Sequence, residues 1–448
     1  MIKPTSQTSI HQPLSPTPQK HSNPALTSTY RNTSSIGIDR GLDRSSVNAN
    51  TISNFGTTGT FSSYSNVSGT VNGILLRFVK NITVSYNSIT SSEGGTTAGT
   101  LRAIFMPAAN ITAGVNTNTI SNNTISLKSG IGTGVIQGIF VEAKAGNKTT
   151  TLNIDNNSIN NLTHVGSGSG AITGIINTDT ALNISISNNS FNNITTITTG
   201  SFTFISNSIL LPAGGTQTIN GNSIVTAFSK TGDGGSVTLF TTTSNSPTGT
   251  TSTSNGNNFS NITVVGATTI TGWINRDGAS TASGPTKAVT NNTFSNWTAG
   301  TGSITALTIN ASAAGSIHSG NTVSNISTGG ALVGISILSN ENGTLSGNNV
   351  NGLTTSGAVS VSGIVLSGTA SANSPTVQKN KVYNIQATNS AGNVNGILIS
   401  YGGNGAICNI ANNIIGDLKA TAANNDLNDV VRGISITATT TLANFNVF

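Results

Sequence analysis

The chain has 448 residues, of which 35% are hydrophobic and only 7% are charged, and its net charge is +6. This hydrophobic content is enough for a sizeable core, and the low charge does not match the composition of most disordered chains. Residues 1–45 contribute half of the net positive charge, and no Lys/Arg cluster follows them. Because nucleic-acid binding needs a concentrated basic face, this distribution argues against it.

Residues 1–35 are rich in proline, serine and threonine, and five of the ten prolines lie within the first 24 residues. We predict a disordered leader there. The leader has no seven-residue apolar stretch, so it lacks the pattern of a secretory signal peptide. No part of the chain approaches the roughly 18 apolar residues of a membrane-spanning helix, so we predict no membrane span.

After the leader, the unit Asn-x-[Ile/Val/Phe] occurs twelve times, with steps of 27 to 37 residues and a mean of 33. The leading asparagines are Asn50, Asn87, Asn123, Asn157, Asn189, Asn222, Asn257, Asn292, Asn321, Asn348, Asn380 and Asn413. The apolar residues are Ile52, Ile89, Ile125, Ile159, Phe191, Ile224, Phe259, Phe294, Val323, Val350, Val382 and Ile415. In seven copies another asparagine follows two positions later: Asn54, Asn161, Asn193, Asn261, Asn296, Asn325 and Asn384.

A second marker, Gly-Ile or Gly-Trp, recurs in step with the first and opens alternating segments such as "GILLRF" and "GILIS". Its glycines are Gly37, Gly73, Gly138, Gly174, Gly272, Gly334, Gly363, Gly396 and Gly433. A third alternating segment precedes each asparagine unit, as at Leu152 and Ile154. Each period therefore has three short segments of period 2, and no 3.6-residue periodicity accompanies them, which predicts an all-β fold.

Three short strands in each of many repeats predict a parallel β-helix over residues 36–448. It would have about twelve coils and a length of roughly 58 Å at ~4.8 Å per coil. Stacking in register would place apolar residues in internal columns and asparagine above asparagine at the corners. We expect these asparagines to adopt the left-handed corner conformation and to bond as an amide ladder. The coil that starts at Gly433 is predicted to be incomplete.

Two segments, "LNIDNNSINNL" (152–162) and "GISILSNENGTLSGNNVNGL" (334–353), resemble the right-handed parallel β-helix repeats of large exported surface proteins of Gram-negative bacteria. Many of those proteins resemble adhesins and carry a C-terminal sorting domain. The resemblance implies a right-handed solenoid and an extracellular or cell-surface location. Neither a signal peptide nor a sorting domain is predicted from these residues, so export is implied by the resemblance alone.

Carboxylates are sparse, with nine Asp and three Glu in the whole chain. β-Helix enzymes that cut polysaccharides use clustered carboxylates, as an acid/base pair or as calcium ligands. Asp155 is matched by Ser121 one coil earlier and Ser187 one coil later, so no second carboxylate is predicted to join it. Arg276 and Asp277 are predicted to form an isolated surface ion pair.

The remaining candidates also favour structural roles. His164 and His318 are several coils apart, so they are not predicted to share a metal ion. Lys379 and Lys381 are expected to point outward, and Cys408, the only cysteine, is expected to be a small buried hydrophobe. We therefore predict no catalytic, cofactor-binding or metal-binding residue.

The leading functional hypothesis is a non-catalytic, exported structural or adhesive rod that binds polysaccharides or cell-surface glycans through many weak contacts. The alternative is a carbohydrate-active β-helix enzyme, a lyase or a glycoside hydrolase. Tyr86, Trp273, Trp297 and Tyr383 are the aromatic residues considered for glycan contacts, although core positions are favoured for both tryptophans. The unfinished C-terminal coil predicts end-to-end self-association or further β-helix sequence at that face.

Overall fold

The structure is a computed structural model, and it describes residues 36–38, 46–55, 70–77, 79–91, 99–108, 115–130, 132–142, 150–164, 166–278, 284–338, 341–368, 374–402, 405–421, 429–437 and 443–448. The predicted leader over residues 1–35 lies outside the described residues. Within the described residues all regular secondary structure is β-strand, as the alternating segments predicted. No helix there has the length and hydropathy needed to span a membrane.

The described strands, numbered in chain order, are β1 (Ile36–Ile38), β2 (Ser46–Asn48), β3 (Thr51–Phe55), β4 (Val71–Leu76), β5 (Thr83–Ser85), β6 (Ser88–Ser91), β7 (Thr100–Met106), β8 (Thr117–Ser121), β9 (Thr124–Ser129), β10 (Val135–Val141), β11 (Thr151–Asp155), β12 (Ser158–His164), β13 (Ile172–Asn177), β14 (Asn183–Ser185), β15 (Ser190–Asn192), β16 (Ile194–Thr196), β17 (Phe202–Asn207), β18 (Thr216–Thr218), β19 (Ser223–Ile224), β20 (Phe228–Lys230), β21 (Ser236–Thr242), β22 (Thr251–Asn255), β23 (Asn258–Val264), β24 (Thr269–Asn275), β25 (Thr286–Thr290), β26 (Thr293–Thr298), β27 (Ile304–Ile309), β28 (Ile317–Ser319), β29 (Thr322–Thr328), β30 (Leu332–Ile337), β31 (Thr344–Ser346), β32 (Asn349–Thr355), β33 (Val361–Gly368), β34 (Thr376–Gln378), β35 (Lys381–Ala387), β36 (Val394–Tyr401), β37 (Ile407–Ala411), β38 (Ile414–Ala420), β39 (Val431–Ile436) and β40 (Asn444–Val447).

These strands form three parallel sheets that run the length of a β-solenoid. Sheet 1 has 13 strands, in the order β1-β4-β7-β10-β13-β17-β21-β24-β27-β30-β33-β36-β39. Sheet 2 also has 13, in the order β2-β5-β8-β11-β14-β18-β22-β25-β28-β31-β34-β37-β40. Sheet 3 has 14, in the order β3-β6-β9-β12-β15-β19-β23-β26-β29-β32-β35-β38, with β16 and β20 beside that path. Each coil contributes one strand segment to each sheet, so the predicted architecture of three strands per coil is confirmed.

Sheet 1 owes its shape to the recurring glycine. Gly138 and the following Ile139 are both buried, so the chain departs here from the simple alternation of a strand. A Cβ atom on Gly138 would lie 2.4 Å from the carbonyl oxygen of Gly174 in the next coil. Glycine fits this approach without a shift of the backbone. Coils that carry Ala103 or Phe204 at the same position keep the consecutive buried pair, so glycine is favoured there and not required.

The apolar residues of the asparagine units form one internal column on sheet 3, as predicted. Ile159 pairs with Phe191, Phe191 pairs with Ile224, and all of them are buried together with Phe259. The ring of Phe191 meets Phe204 of sheet 1 edge-on, with centroids 5.0 Å apart. Aromatic contacts across the interior therefore join sheets 1 and 3.

The twelve leading asparagines form an unbroken ladder between sheets 2 and 3. The Nδ2 of each of the first eleven donates to Oδ1 of the corresponding asparagine in the next coil at 2.8–3.0 Å. Asn257 shows the full pattern, because its Nδ2 also donates to the carbonyl of Ile219 at 2.8 Å. Its Oδ1 accepts from the backbone N–H of Asn222 at 2.9 Å and from Nδ2 of Asn222 at 3.0 Å. Both donors and both acceptor sites of the amide are used, so asparagine can be buried at this position.

The prediction that the ladder asparagines themselves adopt the left-handed conformation is wrong. The residue before each ladder position has positive φ instead: Ala49, Tyr86, Asn122, Asn156, Asn188, Gly221, Gly256, Asn291, Gly320, Gly347, Lys379 and Asn412. This residue makes the turn, and the asparagine that follows directs its amide into the interior, where both neighbouring coils bond to it. Six of the seven later asparagines adopt this conformation instead, with φ between 49° and 64°: Asn161, Asn193, Asn261, Asn296, Asn325 and Asn384.

Apolar side chains are exposed on the last described strands. Ile434 and Ile436 of β39 are 40% and 42% exposed, and Phe448 is 82% exposed. The equivalent residues one coil earlier, Ile397 and Ile399, are fully buried. The core is therefore open to solvent along β39.

Candidate functional site

The outer surface of sheet 1 differs from those of sheets 2 and 3. The outward columns of sheets 2 and 3 consist mainly of Thr, Ser and Asn, as at Thr216, Thr251 and Thr286. On sheet 1, by contrast, Leu75, Phe105, Phe140 and Ile176 form one outward column in consecutive coils. These four side chains are half-buried rather than internal.

Two of these residues form an ordered aromatic surface with their neighbours. The rings of Phe105 and Phe140 stack with their centroids 5.2 Å apart and their planes 25° apart. The guanidinium carbon of Arg102 lies 4.1 Å from the centroid of Phe105 and 5.1 Å from that of Phe140. Its Nε donates to Oε1 of Gln137 at 2.5 Å. We call Arg102, Phe105, Gln137 and Phe140 the aromatic platform.

The strands explain why these four side chains share one face. Ala103 and Ile104 are consecutive buried residues of β7, so the residues on either side of them, Arg102 and Phe105, both point outward. The same pattern in β10 turns Gln137 and Phe140 outward one coil later. Because stacked parallel strands are about 4.8 Å apart, like side chains on neighbouring coils come within stacking distance.

The electrostatics of the platform depend on Arg102 and Glu142. Partial burial lowers the pKa of Arg102, and the nearby charge of Glu142 opposes this shift. A guanidinium nevertheless stays charged in proteins, so the platform carries a fixed cation over its rings. Oε2 of Glu142 accepts a hydrogen bond from the backbone N–H of Ala108 at 2.8 Å. The platform therefore holds a fixed cation over its stacked rings, and an anchored carboxylate lies near that cation.

The aromatic residues considered from the sequence lie elsewhere. Trp273 and Trp297 are fully buried, which confirms their predicted core positions. Trp297 donates from Nε1 to the carbonyl of Phe259 at 2.8 Å, and Trp273 stacks on Phe240 with centroids 4.5 Å apart. Tyr86 and Tyr383 are 67% and 39% exposed, but neither contributes to the platform.

Several single residues behave as predicted. Lys379 and Lys381 are exposed, and Cys408 is buried, where desolvation raises the pKa of its thiol to about 12. Asp155 links neighbouring coils, since its Oδ1 accepts from Oγ of Ser185 at 2.7 Å and from the backbone N–H of Ser187 at 2.8 Å. Desolvation raises the pKa of Asp155, and these two hydrogen bonds oppose the shift.

The predicted surface ion pair of Arg276 and Asp277 is wrong. Arg276 is exposed, whereas Asp277 is fully buried and its Oδ1 accepts from the backbone N–H of Ser246 at 3.0 Å. Both residues follow β24 in a connector, where strand alternation does not determine side-chain direction. The chain turns Asp277 inward towards the preceding coil.

Asp277 belongs to a buried ionic cluster that also contains Lys287, His318 and Glu341. All four are at most 1% exposed, and Nε2 of His318 lies 3.0 Å from Oε1 of Glu341. Burial raises the pKa of Glu341, but the charge and hydrogen bond of His318 leave that pKa below its ordinary value. Because the cluster is sealed from solvent, a polymeric ligand cannot reach it from outside.

The sequence contained a signal for this cluster that its carboxylate count did not reveal. Lys287 and His318 occupy inward positions of β25 and β28, and the residues that pair with His318 in the adjoining coils are the apolar Val289 and Leu345. The scattered carboxylates then meet these cations because successive coils stack. Among the described residues, no group of three or more His, Cys, Asp and Glu side chains is arranged to hold a metal ion.

No family model, curated protein or solved structure compared with the chain matches it. Functional inference therefore rests on the geometry of the aromatic platform and of the solenoid that holds it.

Proposed function

We propose that the chain is a non-catalytic, exported or cell-surface β-solenoid that binds glycans, and that the aromatic platform is its principal contact. The observation that carries this proposal is the outward stack of Phe105 and Phe140 beneath the guanidinium of Arg102. Phenylalanine is normally buried, so an ordered and solvent-accessible pair is a candidate recognition surface.

The chemistry of the platform suits sugars. The outward edges of the stacked rings offer apolar contacts to the C–H groups of sugar rings, while Arg102, Gln137 and Glu142 offer donors and acceptors to hydroxyl groups. Arginine also pairs well with carboxylates, which extends the ligand class to acidic sugars. Because the platform lies on strands rather than loops, its geometry is fixed before a ligand binds.

The solenoid supports the same proposal through repetition. Hydroxyl and amide side chains stack coil upon coil on the outer faces of sheets 2 and 3, for example at Ser295, Ser324 and Asn351. Individually weak contacts along a long polymer add up when many of them form at once.

Affinity electrophoresis through native gels that contain a panel of neutral and acidic polysaccharides tests the proposal. At least one polysaccharide should retard the wild-type protein, and Phe105→Ala and Phe140→Ala should each weaken that binding by about tenfold, or about 1.4 kcal/mol. Tyr383→Ala is the matched control, because it removes an exposed aromatic from sheet 3. Equal retardation of the wild type and the Phe105→Ala/Phe140→Ala double variant would contradict the proposal, as would no retardation at all.

The proposed location rests on the resemblance to exported surface repeats. Antibody labelling of intact cells that produce the full-length protein tests it, with labelling of permeabilised cells as the control. Signal from permeabilised cells alone would contradict a surface location.

We also propose that the face exposed at β39 binds a β-coil of a second copy of the chain. The exposed Ile434 and Ile436 support this, since burial of such side chains favours association. Sedimentation velocity should show concentration-dependent association that Ile434→Lys reduces. A wild-type protein that stays monomeric at high concentration would contradict this pairing.

A further inference from the structure

The side-chain amide of Asn275 is buried without hydrogen-bond partners. Asn275 is the last residue of β24 and is fully buried, and neither its Nδ2 nor its Oδ1 has a partner. By contrast, the amide of the ladder residue Asn257 makes four hydrogen bonds. A buried unpaired amide is costly, so its presence calls for a physical explanation.

Lys287 contacts the backbone of Asn275 in the same coil. Its side chain is buried, and its Nζ lies 3.4 Å from the backbone carbonyl oxygen of Asn275 and donates to the carbonyl of Asn310. Desolvation lowers the pKa of Lys287 to about 8, although Glu341 and Asp277 oppose the shift. A substantial fraction of the amine is then neutral near physiological pH, and a neutral amine is a nucleophile.

Asp277 places a carboxyl group beside the same two residues. It is fully buried two positions after Asn275, and its charge interacts with that of Lys287. Its Oδ1 accepts from the backbone N–H of Ser246, whereas its Oδ2 has no partner. Desolvation raises the pKa of Asp277, and hydrogen bonds from Ser246 and the charge of Lys287 oppose this shift. A carboxyl group at this place can relay a proton between two nitrogen atoms.

We propose that the side chains of Lys287 and Asn275 react to form an intramolecular amide cross-link, with Asp277 transferring the proton. Nζ of Lys287 attacks Cγ of Asn275, and a new C–N bond forms as the C=O electrons move onto Oδ1. The carbonyl then re-forms, and the bond from Cγ to Nδ2 breaks. One hydrogen from Nζ passes through Asp277 to Nδ2, which leaves as ammonia. The reaction exchanges one amide for another, so it requires neither an oxidant nor a reductant.

The local geometry suits this reaction. Nζ lies within hydrogen-bond range of the backbone carbonyl of Asn275, and the side chains of both residues are buried. The attack requires rotation about their side-chain torsions so that Cγ meets Nζ. The two residues are twelve positions apart and join the end of β24 to β25. The cross-link would therefore close one coil covalently and prevent the connector between sheets 1 and 2 from opening. This inference is independent of glycan binding.

Intact-protein mass spectrometry of the full chain, followed by peptide mapping, tests the proposal. The wild-type mass should be lower than the sequence mass by one ammonia molecule, and digestion should yield a branched peptide that joins Lys287 to Asn275. Lys287→Arg and Asn275→Ala should each restore the unmodified mass, and Asp277→Ala should slow the conversion. Lys230→Arg is the matched control and should leave the cross-link intact. Lys230 is equally buried, but its Nζ donates to the carbonyls of Gly232 and Gly234 at 2.6 Å.

The wild-type measurement decides the question even where a variant fails to fold. An unmodified wild-type mass in purified, folded protein would overturn the proposal. Loss of water with a branch at Asp277 or Glu341 would also overturn it, because the acyl group would then not come from Asn275.

Discussion

Replacement of Asn257 by alanine tests the physical role of the asparagine ladder. Asn257 is 1% exposed, and its side chain makes four hydrogen bonds to residues of its two neighbouring coils. Alanine would remove all four. The backbone N–H of Asn222 and one hydrogen of its side-chain amide would then be buried without an acceptor.

The expected loss of stability follows from these stranded groups. Each buried donor left unpaired costs about 1–3 kcal/mol, so two of them predict a loss of about 2–6 kcal/mol for this part of the solenoid. Because each coil contacts only its neighbours, the loss should appear as local opening as well as in the global transition. Urea denaturation followed by circular dichroism measures the global part, and hydrogen exchange of the Asn222 amide measures the local part.

Asn258→Ala provides the control for this prediction. Asn258 is the next residue, is exposed, and accepts only a local hydrogen bond from Ser260. Its replacement should lower the urea midpoint much less than Asn257→Ala does. Equal midpoints for the two variants, with equal protection of the Asn222 amide, would refute the argument that the ladder bonds stabilise the stack.

Three other predictions follow from buried groups. Phe191→Asp should destabilise the protein by more than about 4 kcal/mol, because it leaves a cavity and buries a charge. Asn192→Asp, on the outer face, is the control and should have little effect. Thermal melts of the two variants test this difference. Cys408 should resist iodoacetamide at pH 8 until urea unfolds the protein, because its pKa is raised to about 12; rapid labelling of the native protein would contradict its burial. Desolvation lowers the pKa of Lys230 to about 8, so the unfolded state binds more protons above that pH, and the free energy of unfolding should rise between about pH 8 and pH 10. The rise should be smaller in Lys230→Met. If the wild type and Lys230→Met show the same pH dependence of the urea midpoint, the lowered pKa of Lys230 is contradicted.

The ladder and the apolar column could be predicted from the sequence because both are built from residues that recur at the same position in each coil. In-register parallel stacking then places Asn189 beside Asn222 and Ile159 beside Phe191, whatever the length of the connectors. The left-handed position could not be predicted in the same way. Nine of the twelve residues there are asparagine or glycine, which favour this conformation, but the prediction followed the repeated Asn-x-apolar unit and so assigned the turn to the asparagine one position later.

The aromatic platform was missed for a different physical reason. Strict alternation from Leu101 through Ala103 would place Phe105 inside the solenoid. Because Ala103 and Ile104 are both buried, the alternation of inward and outward side chains shifts by one residue, and Phe105 points outward. The position of this pair depends on how closely the neighbouring coils approach, which the sequence of one strand does not specify. The burial of Asp277 was missed because a connector has no alternation to follow.

One measurement tests the proposed non-catalytic glycan binding most directly. The wild-type protein is incubated with a polysaccharide that retards it, and the same sample is assayed for bound protein and for newly formed polysaccharide chain ends over time. We predict binding that depends on Phe105 and Phe140, with a polysaccharide of unchanged length. Steady release of new chain ends by the wild type would contradict a non-catalytic role and favour the carbohydrate-active enzyme.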